Sequence, residues 1–309
     1  MTTEHITHKI AIVIPTKNRP IEIRNLLTSI ENQTRIPDQI IIVDGGDISV
    51  SQVVHEFPLL DIKYIKEYPP SLARQRNIGM ESISESITLA GYLDDDIKLD
   101  SHAIESMVEF WSTASPKIGG ARFNILNEPA ANSVWLKRLF LIDSKKRGTV
   151  LKSGFQTSIG TVQKREYVDW LSGGATIWRQ IVTEEFKYDE WYQGLGYLED
   201  LDYSYRVGQK YHLVVVPDAR LEHFPTAIRN EISYLYGKWQ ILNRLYFAKK
   251  FSDLSIPLCC WSFIGLIGLN IGKGVMMCDI KSLKRAAGNL SGLALIASGQ
   301  LKQLSDINK

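Results

Sequence analysis

Through the first hundred residues, short unbroken apolar runs alternate with stretches in which apolar residues recur every three or four positions. The run "KIAIVIP" predicts a buried strand that Pro15 ends. Pro20 stands where a first helical turn tolerates proline and opens the helical pattern "PIEIRNLLTSIENQ". "DQIIIVDGG" predicts a second strand stopped by a glycine pair, "DIKYIK" a third, and "SLARQRNIGMESIS" a helix. "SITLAGYLDDD" predicts the fourth strand, with a helix from about Ser101 to Ser112 behind it. Strands separated by helical segments predict an α/β fold, a largely parallel sheet flanked by helices. Three strand ends carry "TKNR", "DGGD" and "DDD". Open α/β sheets bind ligands beyond the carboxyl ends of their strands, so these ends are where a site is expected.

The pattern weakens between Asn127 and Arg165, which predicts a loop-rich insertion. It returns in "EYVDWLSGGATIW" and "YLEDLDYSYRVGQKYHLVVVPDARLEH". A helical tail follows, so the expected division is a catalytic domain over 1–227 and a basic, apolar extension over 228–309. Within the tail, Ile256 to Gly272 is free of charge for 17 residues. A spanning helix wants about 20 such residues. Two readings stand: a helical hairpin buried on the catalytic domain, or monotopic association with a bilayer, with Lys273, Lys281, Lys284 and Arg285 at the headgroups.

Composition changes this picture little. Of 309 residues, 44% are hydrophobic and 23% charged, enough to build a core and unlike a disordered chain. Three cysteines, two of them adjacent, make neither a disulfide framework nor a metal-ligand spacing. The first residues lack the pattern of a secretory signal, and the expected compartment is the cytoplasm. His5 and His8 read as terminal residues without a role. Charge is more informative. From Ile228 onward there are 11 Lys/Arg against 4 Asp/Glu, while the rest has 25 against 30. A basic, apolar tail suits the inner face of an anionic membrane. Nucleic acid is not expected as a partner, because the first domain lacks interleaved basic stripes.

Asp94, Asp95 and Asp96 pose the chemical question. Adjacent carboxylates raise one another's pKa, so they form either a solvated turn capping the next helix or a cation site. Carboxylate oxygens are hard ligands suited to Mg²⁺ or Mn²⁺, and such ions commonly bridge protein carboxylates to substrate phosphates. An EF-hand is excluded, because counting from Asp94 puts Lys98 fifth and leaves no glycine sixth. A metal-dependent phosphatase or nucleotidyltransferase using the same strand end is the alternative. Three strands before the triplet count against the phosphatase, whose motif closes a first strand.

"IAIVIPTKNRP", "QIIIVDGGD", "SLARQRNIG", "YLDDDI", "WLSGGATIW" and "GLGYLEDLDYSYRVG" occur in that order. Each is short, but the ordered set resembles the inverting family 2 glycosyltransferases of the GT-A fold, over roughly Lys9 to His223. The resemblance implies a metal-dependent transferase moving a sugar from a nucleotide-diphospho-sugar donor to a glycan or lipid-linked acceptor, in cell-surface polysaccharide synthesis. It implies that Pro15, Thr16 and Arg19 border the nucleotide, that Asp44 contacts the base, and that Arg76 lies near the donor. Many relatives carry a second acid after that Asp, where this chain has Gly45. The triplet matches the family's DXD motif: Asp96 as metal ligand, Asp94 and Asp95 toward the ribose or the metal's waters, His223 as a further ligand. "LSGG" implies a loop with Gly173 and Gly174 between donor and acceptor, and "LEDLD" makes Asp200 the base with Glu199 beside it. Trp191 is the candidate lining of an acceptor groove, with a core role as the competing reading.

Overall fold

The computed structural model of the protein describes residues 8–128, 134–192, 196–226 and 229–299. Its elements, in chain order, begin with β1 (Ile10–Thr16), α1 (Pro20–Glu31), β2 (Gln39–Asp44), α2 (Ser51–Val54), β3 (Ile62–Lys66) and α3 (Leu72–Glu81). There follow β4 (Leu89–Leu93), β5 (Ile97–Leu99), α4 (Ala103–Thr113), β6 (Ile118–Ile125) and α5 (Trp135–Leu139). Then come β7 (Glu166–Val168), β8 (Ala175–Arg179), α6 (Gln180–Glu185), α7 (Glu199–Gly208) and β9 (His212–His223). The helices α8 (Ser233–Lys250), α9 (Ile256–Met276) and α10 (Ile280–Ala297) complete the chain.

The sheet runs β3-β2-β1-β4-β8-β6-β9-β5, with β7 paired to β9. The β3, β2, β1 and β4 strands are parallel to one another, as the apolar runs predict for strands covered on both faces. β8 enters antiparallel between β4 and β6, and β9 returns parallel to β6. Every residue of β1 is buried. One apolar layer joins β1 and β2 to α1 and α4 through Ile12, Ile42, Leu26 and Met107; the other, with Val13, Tyr92, Trp178 and Tyr203, lies on the opposite face. Five elements were not foreseen: α2, β5, β6, α6, and α5 within the stretch expected to be loop-rich. The short helix α2 lies between β2 and β3, and β5 follows the triplet directly, pairing with β9 with Ile97 opposite His223. His8 also has a role, correcting the expectation of none: it is buried, with Nδ1 3.0 Å from Thr88 Oγ1 and Nε2 3.3 Å from the Trp111 carbonyl. His5 lies outside the described residues.

The chain divides into two compact units. One comprises 1–130, 160–190 and 194–225; the other comprises 131–159, 191–193 and 226–309. The expected border at 227/228 falls in undescribed residues, and most of the loop-rich insertion, 131–159, belongs with the tail. In that second unit, Phe155 packs with Ile241, Leu245, Cys259 and Phe263. Arg244 is 2% exposed and donates to the Gly154 carbonyl at 2.6 Å and Gln156 Oε1 at 2.7 Å. α9 is long and apolar enough to cross a membrane by length and composition, with a mean hydropathy of 1.5, yet only 28% of that stretch is buried.

Candidate active site

The carboxyl ends of β1 and β4 meet the loop before β8 and the N-terminus of α7, all within the first unit. Leu93 pairs with Ala175, and one step further the Asp94 N–H donates to the Gly174 carbonyl at 2.9 Å. Backbone approaches so closely there that a Cβ on Gly174 would lie 1.9 Å from Asp94 Oδ2. Gly173 has the same constraint: a Cβ would meet Arg76 Nη1 at 2.6 Å and the Asp200 Cβ at 2.9 Å. The glycine pair is therefore required by what it packs against, beyond its turn.

The three triplet carboxylates take different partners. Asp94 is bound by Arg76 at 3.0 Å. Asp95 is buried, accepting from Thr16 Oγ1 at 2.7 Å and from Arg19 Nη1 at 2.6 Å. Asp96 meets Arg19 Nη1 at 3.0 Å and His223 Nε2 at 2.9 Å. Burial pushes the Asp95 carboxyl up to about 6, although Thr16 and Arg19 oppose the shift. For Asp96 burial acts in the same direction but loses to His223 and Arg19, which hold the carboxyl below its usual range. His223 is raised: burial lowers it, and Asp96 together with the nearby Asp94 more than reverses this. Ligand atoms of Asp94, Asp96 and His223 lie within 4.8 Å of one another.

At the start of α7, Leu198 holds φ 76°, a left-handed conformation that costs a leucine about 1–2 kcal/mol. It delivers Glu199 and Asp200 to the site side by side. Glu199 is 4% exposed and bound to Arg76 at 2.8 Å; its Oε2 has no hydrogen-bond partner among the described residues. Burial, with the Asp200 charge adding to it, lifts Glu199 to about 8 against the pull of Arg76. Asp200 is raised by burial, while Arg76 and the N–H groups of Gly173 (3.1 Å) and Leu201 (2.7 Å) oppose the shift. Arg76 bridges the two acidic groups. It is 2% exposed, with its guanidinium 5.2 Å from the Tyr188 ring centroid; burial lowers its pKa, but Tyr188, Asp94, Glu199 and Asp200 more than reverse this and keep it charged.

Asp94, Glu199, Asp200, Arg76, Gly173, Gly174 and His223 line one cavity of about 560 Å³. Sequence reasoning missed Arg122, Glu128 and Asn127 in the same wall, which Ser172 of the "LSGG" loop also lines. Arg122 Nε donates to Ser172 Oγ at 2.9 Å, and its other end pairs with Glu128. No local motif marks Arg122; only the placement of β6 between β8 and β9 brings it there. Seven expected residues are not part of the cavity lining: Thr16, Arg19, Asp95 and Asp96, which bond to one another and reach the lining through His223, and Asp44, Pro15 and Trp191. Asp44 is fully buried, accepting from the N–H groups of Gly46 (2.8 Å) and Val50 (3.1 Å) and from Tyr64 Oη (2.8 Å). Pro15 is buried inside β1. Trp191 belongs to the second unit, its ring stacked 3.8 Å from that of Tyr246. Asp202, on the same helix turn as Asp200, is buried and paired with Arg206 at 2.9 Å, and Arg74 is a surface charge on Glu67.

The sequence model of glycosyl transferase family 2 matches residues 11–163, from β1 through the triplet to β6 and beyond. The chain is a glycosyltransferase with a family 2 domain. That assignment sets aside the phosphatase and nucleotidyltransferase reading. No curated protein sequence matches this glycosyltransferase. Among solved structures it is similar to the mannosyltransferase PcManGT from Pyrobaculum calidifontis in complex with GDP-Man and Mn²⁺ (TM-score 0.55, 14% identity, 96% of this chain and 80% of that one). GalNAc-T7 with UDP, GalNAc and Mn²⁺ is another (TM-score 0.58, 15% identity, 85% and 55%). So is S. aureus TarS 1–349 in complex with UDP (TM-score 0.51, 12% identity, 94% and 92%). The glycosyltransferase spans 43% of the longer TarS chain. At these identities the likeness establishes the GT-A fold.

Proposed function

We propose that this glycosyltransferase is metal-dependent and inverting, and transfers a sugar from a nucleotide-diphospho-sugar to a hydroxyl of a glycan or lipid-linked acceptor. The observation that carries the reading is that Asp94 of the triplet and Asp200 of α7 line a single cavity. Two carboxylates and an imidazole within 4.8 Å form a donor set that suits Mn²⁺ or Mg²⁺. The Mn²⁺ bound in two structural neighbours agrees with it. Bound there, the ion would be held by Asp94, Asp96 and His223 and would neutralise charge on a departing diphosphate.

The chain's own residues supply the rest. Thr16 and Arg19 fix Asp95 on the nucleotide side of the triplet. Arg76 holds Asp94 and Glu199 at a fixed separation and keeps positive charge in an otherwise acidic wall. An Asp200 carboxylate oxygen takes the proton from the attacking acceptor hydroxyl; its raised pKa brings the base closer to working pH, where proton transfer is most effective. Attack from the side opposite the leaving diphosphate gives one displacement and inversion at the anomeric carbon. The basic, apolar tail suits work on a lipid-linked acceptor of cell-surface polysaccharide synthesis at the cytoplasmic face of a membrane.

A panel of nucleotide sugars with Mn²⁺ tests this. One member, at about 100 times its Kd, should stabilise the protein by about 2.7 kcal/mol, and chelation should remove the effect. No stabilisation by any member would sink the donor assignment.

A further inference from the structure

The turn between α9 and α10 carries an apolar tip that the fold leaves uncovered. Val275, Met276 and Met277 are 67%, 86% and 71% exposed, Cys278 is exposed, and Ile280 is 61% exposed. Soluble proteins rarely present such a contiguous patch without a partner. Cations flank it in sequence. From Ile256 to Ala297 the only acid is Asp279, against Lys273, Lys281, Lys284 and Arg285. Asp279 is itself engaged, pairing with Lys273 at 3.4 Å, capping α10 by accepting from the Lys281 N–H at 3.0 Å, and accepting from Ser282 Oγ at 2.8 Å. Its charge therefore does little to repel an anionic surface. A protruding apolar point flanked by lysines matches the chemistry of a bilayer interface, with methionines among acyl chains and ammonium groups at anionic headgroups.

We infer that the α9–α10 turn is a membrane-inserting tip, entering an anionic bilayer end-on through Val275–Cys278 and Ile280 while the far end of α9 stays out of the lipid. This rests on the membrane placement proposed above and specifies its geometry.

The cysteines provide the test. Cys278 sits in the tip, whereas Cys260 lies near the other end of α9, about 24 Å from Met276 along the axis at about 1.5 Å per residue. Both are exposed; Cys259 is buried, and burial pushes its thiol up to about 12, so it resists labelling. The full chain carrying Cys260→Ser or Cys278→Ser would be labelled with an environment-sensitive fluorophore and mixed with vesicles of phosphatidylcholine, with or without phosphatidylglycerol. Expected are a blue shift and quenching by spin-labelled lipid at Cys278 with the anionic vesicles, and neither at Cys260. Met276→Asp with Met277→Asp should lower vesicle binding by about tenfold or more with an unchanged melting temperature. Equal shifts at both cysteines would mean that α9 lies flat, and would overturn the inference while leaving membrane association intact. No vesicle binding by the wild type would remove the membrane placement as well. Concentration-dependent self-association abolished by the same double substitution, without vesicle binding, would assign the tip to a second copy of the chain. Stabilisation by donor and Mn²⁺ on the same samples keeps the transferase reading separate from all three results.

Discussion

Asp94, Asp95 and Asp96 are neighbours in sequence but have separate environments: Arg76 holds the first, Thr16 and Arg19 the second, Arg19 and His223 the third. In the metal-free protein, these cations answer the repulsion that the sequence poses. His223 must be neutral to ligate, yet its pKa is raised. Mn²⁺ affinity, followed by calorimetry across pH, should therefore fall as pH drops through that raised value, starting above the ordinary value of about 6.5. Without metal the sign reverses: the His223–Asp96 pair contributes stability that is complete below about 6.5 and lost as pH rises through the folded pKa. Gly174→Ala should displace Asp94, since the new Cβ would overlap its carboxylate, and weaken Mn²⁺ binding by about 10–100-fold. Asp200→Asn should lower kcat by about 10²–10⁴-fold while donor binding is retained; near-normal turnover would exclude it as the base.

At the scale of elements, most of the first half was legible because buried parallel strands are continuous apolar runs and their helices are amphipathic. Two kinds of element escaped: β6, whose apolar run is interrupted by Gly119, Gly120, Arg122 and Asn124, and several short ones. The four residues of α2 and the three of β5 are below the length at which a period can be seen, and β5 exists because β9 offers it a partner. Close packing was equally invisible. In the second unit, α8 and α10 cross so tightly that a Cβ on Gly288 would lie 2.0 Å from the Tyr234 carbonyl, and one on Gly237 2.2 Å from that of Arg285. The obstructing atoms are backbone and cannot turn aside. Gly288→Ala and Gly237→Ala should each cost about 1–3 kcal/mol by urea denaturation, although alanine is the better helix former.

For the whole molecule, the chemistry predicts one stereochemical outcome. A single displacement with the base on the acceptor side gives a product of inverted anomeric configuration, read directly from the anomeric coupling constant by NMR; retention would require a different arrangement of nucleophile and base. The sequence by itself determined the alternation of strand and helix, the acidic strand end, and the order of motifs that marks the family. Those properties depend on residue type and near-neighbour spacing, which the chain carries locally. Tertiary structure alone decided that Arg122 of β6 shares a wall with Asp94 and Asp200, that Arg76 spans both acidic groups, and that Asp44 is consumed by its own turn. Each depends on which strands become neighbours and how closely two backbones approach, and strand pairing joins residues that sequence spacing keeps far apart.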